Sequence, residues 1–305
     1  MRLFDPEEAA ATAAETVPDP AGATLPVLPK AAPGGPLCRL RLLVAYDGGP
    51  FHGFASQPGQ ATVGGRLSEA LGRLAGHEVT LTCAGRTDAG VHAAGQVVHA
   101  DVAEAIFDRH DEPGLVRSLT HQVGPEVAVL DLKRAEPGFD ARRSALSRRY
   151  RYVLLRSPAA DPLLRHLSWH VPGELDVAAM RMAADTLLGE HDFAAFCRRP
   201  PEGGSTVRRV SEAAWLSDSD RRLWRFEIEA NAFCHQMVRS VVGALVSVGE
   251  GRLTPAGVLE ILRSGERSRG SRLAPPGGLC LEYVRYPIEL VPGGIWSPPG
   301  SLAVA

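Results

Sequence analysis

The spacing of apolar residues assigns elements along most of this chain. CRLRLLVAYDG (38–48) opens with apolar–polar alternation and ends in Asp-Gly, the pattern of a strand entering a turn. Val63, Leu67, Ala70, Leu71 and Leu74 recur at helical spacing and predict a helix over 63–74. A short strand over 78–83, an alternating strand over 96–102, a helix over 114–122 and a strand over 127–133 complete one α+β unit. A second unit opens with an alternating strand over 148–155. It continues with a helix over 176–188, capped by Asp176 and stopped at Gly189, and with strands over 207–216 and 223–230. Asn231 can cap a helix over 232–248; a short helix over 255–263 and a strand over 278–286 close the pattern. Two successive units of like content predict an α+β fold with a duplicated, ferredoxin-like arrangement, one half at 37–142 and the other at 143–305. Residues 1–36 are Ala/Pro-rich without a hydrophobic period and read as a disordered tail.

Composition narrows the class. With 45% hydrophobic and 22% charged residues, the 305-residue chain has the make-up of an ordinary soluble protein. The opening MRLFDPEEAAATAAE puts acids where a secretory signal needs an apolar core, and no apolar run approaches the roughly 20 residues of a membrane span, so the expected location is cytoplasmic and no membrane contact is expected. Five cysteines with no Cys-x-x-Cys pair argue against a disulfide framework or zinc finger and predict reduced thiols. The net charge of −2 hides clustering: eight arginines face three acids between Arg134 and Arg165, and shorter basic runs lie at 198–209 and 263–272. Three such runs suggest an anion-binding face, against the alternative of ordinary solvated surface.

The candidate chemistry centres on AGRTDAGVHAAGQVVHADV (84–102), where Arg86, Thr87 and Asp88 occupy a loop between Gly85 and Gly90. Alone, such a loop is most often an Asp-stabilised turn. The helix NAFCHQMVRSVVGALVSVG (231–249) changes the weighing, because its apolar residues cover most of its circumference and Arg239 sits among them. A buried guanidinium needs a carboxylate, and Asp88 is the best candidate; the alternative is a side chain that snorkels to the surface. Tyr150 and Tyr152 alternate with Arg149 and Arg151, a pattern that fits a stacking platform beside phosphate-holding cations or, alternatively, an ordinary core strand. A metal-dependent hydrolase using His52, His77, His92 and His99 is a further reading, disfavoured because their spacings give no His-Glu-x-x-His or similar ligand set.

Taken together, YDGGPFHGF (46–54), the acid loop, RRYRY (148–152), LLGEHDFAAF (187–196), the 231–249 helix and GGLCLEYVRYP (277–287) resemble the TruA-type tRNA pseudouridine synthases, in the right order from about Leu40 to Pro287. The resemblance implies a pseudouridine synthase fold of two ferredoxin-like halves, a mixed or antiparallel sheet and a central active-site cleft. It implies isomerisation of uridine to pseudouridine at positions 38, 39 and 40 in the anticodon stem-loop of tRNA, with no cofactor and no metal, by a homodimer. On that basis Asp88 is the catalytic carboxylate, Arg239 its basic partner and Tyr150 the ring that stacks on uracil. Arg86 helps to hold the place of the flipped nucleotide, Thr87 joins it in substrate binding, and Leu245 is an apolar wall of the pocket. The family's Gly-Trp-Gln-Arg-Gln segment is replaced here by Gly53, Phe54, Ala55, Ser56 and Gln57, without the basic residue. An RNA-binding module that keeps the fold without the chemistry is the competing reading; a binding site alone needs no buried carboxylate.

Overall fold

The computed structural model describes residues 35–198, 204–217, 222–267 and 272–296. The predicted tail therefore lies almost wholly outside the described residues. The first half contains β1 (Leu37–Tyr46), α1 (Val63–Ala75), β2 (Thr82–Cys83), β3 (His92–Ala103), α2 (Glu112–Val123) and β4 (Val127–Arg134). Their sheet order is β4-β1-β3, with β2 on the far side of β3, which is the split β-α-β arrangement of a ferredoxin-like unit. The second half contains β5 (Ser147–Arg156), β6 (Trp169–Val171), α3 (Val177–Asp185), β7 (Gly189–Asp192), β8 (Val207–Ser217), β9 (Leu223–Ala230), α4 (Met237–Gly249), α5 (Pro255–Ser264) and β10 (Leu279–Arg285). Here β10-β5-β9-β8 repeats the order with β7 added at the edge. A short parallel pairing of β10 with β3, Cys280 with His92 and Leu281 with Ala93, merges the halves into one mixed sheet.

Local chemistry explains the element ends. Thr62, Asp111, Asp176 and Thr254 each accept a main-chain N–H three residues on, from Gly65, Gly114, Ala179 and Gly257, and so cap α1, α2, α3 and α5. Gly76, at φ +76°, ends α1. One core joins Leu42, Val98, Leu67 and Leu119 of the first half to Phe226, Leu245 and Leu281 of the second.

Four expectations change. The strand expected over 78–83 is reduced to Thr82–Cys83, because the Ser68 hydroxyl on α1 takes Val79 O and holds that stretch against the helix. The helix expected over 232–248 begins only at Met237: Asn231 Oδ1 accepts Arg209 N at 3.0 Å and Ala232 N at 2.9 Å, tying the end of β9 to β8, and Gln236 then turns the chain at φ +65°. Cys197 and Cys234, expected as reduced thiols, form a disulfide with Cα atoms 5.7 Å apart, while Cys38, Cys83 and Cys280 are free. Their 37-residue separation gives no local signal, since only the fold brings the turn after Phe196 beside the approach to α4.

The fourth concerns the arginines of β5, which do not wait for phosphates. Arg149 is paired with Glu227 on the neighbouring β9 and with Glu212 on β8 beyond it, and Arg151 with Glu282 on β10 at 3.2 Å, all on the sheet face opposite Tyr150 and Tyr152. Arg148 is buried, and all five of its N–H donors go to main-chain carbonyls: Ala84 twice, Arg142, Ala145 and Asn231. Burial lowers its pKa, and the five acceptors offset the cost of enclosing the charge. Tyr152 is fully buried with its hydroxyl donating to Pro275 O at 2.8 Å, so for this residue the core-strand reading holds.

Candidate active site

Asp88 lies on the loop from β2 to β3, and that loop is fixed from below and from one side. Below it, the Tyr46 hydroxyl and Thr87 Oγ1 are 2.8 Å apart, and Gln96 Nε2 donates to Gly85 O at 2.7 Å. Burial pushes the Tyr46 phenol well up, so it stays neutral in this network. Beside it, Phe54 N donates to Thr87 O at 3.1 Å and Gly90 N to Phe51 O at 3.3 Å. These contacts need glycine: at Gly48 a Cβ would lie 2.0 Å from Val91 O, and Gly53, at φ +94°, has Thr87 O 2.9 Å from the same position. The spacing of YDGGPFHGF is thus a packing requirement of the acid loop.

Arg239 reaches the loop from α4. Its Nη1 is 3.4 Å from Asp88 Oδ2 and its Nε donates to Ala274 O at 2.8 Å; its side chain is 12% exposed, so it does not snorkel. The other carboxylate oxygen, Oδ1, lies 3.3 Å from Nε2 of the half-exposed His235. Sequence reasoning missed His235. It lies four residues before Arg239, but α4 starts only at Met237, so helical spacing does not relate the two.

Tyr150, on β5, is buried beside this group and packs edge-on against Phe233, with centroids 5.1 Å apart at 85°. Burial raises its pKa, Arg148 opposes the shift and Asp88 adds to it. Thr87 is buried and engaged with Tyr46, whereas Arg86 is exposed at the rim with no ion pair among the described residues. Leu245 is fully buried in the core, six residues along α4 from Arg239. The fold therefore brings Arg86, Asp88, Tyr150, Arg239 and His235 to one place.

The histidines once weighed as metal ligands have other tasks. His77 Nε2 accepts Ala103 N, His92 Nδ1 accepts Gly48 N and His99 Nδ1 accepts Ala141 N. Among the described residues no group of three His, Cys, Asp or Glu is placed to hold a metal ion. A cavity of about 730 Å³ lies elsewhere: it opens on the opposite sheet face, lined by Arg151, Val153, Arg225, Cys280 and Leu167.

Residues 183–287 match the family model described as tRNA pseudouridine synthase. A protein of Frankia casuarinae named tRNA pseudouridine synthase A is 49% identical over 257 residues, covering 82% of this chain and 90% of the relative. The chain belongs to the tRNA pseudouridine synthase family. Relatives of the same name from Streptomyces griseus, 42% identical over 85% of this chain and 91% of theirs, and from Methylobacterium sp., 44% identical over 82% and 98%, agree. In this synthase the cleft offers one carboxylate gripped by a guanidinium, a neutral buried phenol, and a histidine at the mouth. Such a set can stabilise positive charge at a sugar carbon and exchange a proton.

Proposed function

We propose that this protein isomerises uridine to pseudouridine at positions 38, 39 and 40 of the tRNA anticodon stem-loop, with Asp88 as the catalytic carboxylate. The observation that carries the reading is the pairing of Asp88 with Arg239 across 151 residues of sequence, at a glycine-lined loop. The reaction breaks the bond from ribose C1′ to uracil N1 and makes one to C5, so it is an isomerisation that needs no redox partner. The target base must first leave the stack, at a cost of a few kcal/mol. Tyr150 then supplies an apolar ring face, with Arg86 and Thr87 as further substrate-binding residues and Leu245 as support behind them. The Arg239 guanidinium, with Nη1 3.4 Å from Oδ2, orients Asp88 towards the base. Asp88→Asn should leave tRNA binding within about twofold and remove pseudouridine formation, read by carbodiimide mapping of treated tRNA. Unchanged modification would refute the assignment, and the absence of any new modified site with the unaltered protein would favour an RNA-binding module.

The chain further reads as two halves, 37–142 and 143–305, acting in the cytoplasm as a homodimer. Among the described residues no helix is long and apolar enough to cross a membrane. The exposed Leu167 at the rim of the far-face cavity supports a second copy seated there. Sedimentation should give twice the chain mass, falling towards the monomer in Leu167→Asp; a monomeric unaltered protein overturns this part.

A further inference from the structure

The isomerisation proposed above, on which this inference rests, ends with a proton that must be moved off carbon. Once C5 has joined C1′, the hydrogen on C5 must leave and N1 must gain one. Arg86 and Arg239 are cations with no free lone pair. Burial keeps the Tyr150 phenol protonated, which makes it a poor base. Asp88 is free again once C5 has joined C1′, with Oδ2 beside Arg239 Nη1 and Oδ1 beside His235. His235 supplies a ring nitrogen that can take the proton, its Nε2 lying 3.3 Å from Asp88 Oδ1 and half its side chain open to the mouth of the cleft.

The histidine is held firmly for a side chain so exposed. Cys234 before it is joined to Cys197, and its own carbonyl accepts Arg198 N at 2.9 Å. Gln236 after it is the described non-glycine residue at positive φ, with Oε1 taking Arg267 Nη2 at 2.8 Å. Phe233, two residues earlier, packs on Tyr150. The whole segment thus aims one imidazole at the carboxylate and the site of the base together. Because the new bond makes C5 a neighbour of C1′, its hydrogen comes within the same few ångströms.

We propose that His235 is a further catalytic residue, the base that removes the C5 proton of the rearranged uracil. Nε2 takes the proton, the C5–H electron pair forms the C5–C6 double bond, and the N1–C6 π pair moves to N1. N1 takes a proton from water, and the imidazolium, beside the freed Asp88 carboxylate, returns its own to solvent. No atom or electron is gained or lost overall.

The test uses two tRNA substrates with His235→Gln in the full chain, one carrying tritium at uridine C5 and one carrying 5-fluorouridine, which has no C5 proton. Tritium release should fall about 100-fold, the ordinary contribution of a general base, while tRNA binding and the rearrangement of 5-fluorouridine keep their unaltered rates. Tritium release at the unaltered rate overturns the proposal. Equal slowing on both substrates also overturns it, since that marks a residue that only shapes the site. If the unaltered protein releases no tritium and forms no pseudouridine, the isomerase reading fails and this one with it.

Discussion

Glu229 shows how individual residues set the behaviour of the sheet face away from the site. Its side chain is 8% exposed, and burial alone would raise its pKa. Hydrogen bonds from Ser147 Oγ, Arg285 Nε and the Tyr283 hydroxyl outweigh that effect and leave it below its ordinary 4.5. A carboxylate depressed on folding stabilises the native state above its unfolded pKa, and that contribution is lost as pH falls through the lower folded value. Glu229→Gln should therefore cost about 2 kcal/mol near neutrality. The difference should shrink as pH falls below 4.5 through the lower folded value, as read by urea unfolding at a neutral and an acid pH. A constant difference at both pH values would show that Glu229 acts through packing rather than charge.

At the scale of elements, the helical stripes of α1 to α3 were legible because each helix has one face turned to water, whereas β1, β3 and β9, buried along most of their length, were legible as apolar runs ended by turn residues. What local spacing could not show was where a competing partner wins. Nothing local reveals that Ser68 draws Val79 away from the sheet, or that Asn231 serves β8 rather than α4. The same limit applies to charge. Arg148, Arg149 and Arg151 read as a basic cluster, yet one is wrapped in carbonyls and two are matched by glutamates from β8, β9 and β10. The pairing of Asp88 with Arg239 was legible because a buried guanidinium demands a carboxylate and few were on offer. His235 was not legible because its place beside Asp88 is set by a non-helical turn before Met237, which local spacing does not reveal.

Across the whole molecule, neutralising so many arginines leaves a smaller basic surface than the sequence suggests. Arg86, Arg142, Arg143 and Arg198 are exposed and have no ion pair among the described residues. If Arg142 and Arg143 touch phosphates, the double alanine variant should weaken tRNA binding and lower the slope of log affinity against log salt by about two. Filter binding over a salt series checks this, and an unchanged slope would remove both from the RNA face. The Arg148 guanidinium has a wider consequence. By holding Ala84 before the acid loop, the 142–145 turn and Asn231 at the end of β9, it welds the two walls of the cleft into one piece. One wall can shift against the other only by giving up these buried hydrogen bonds.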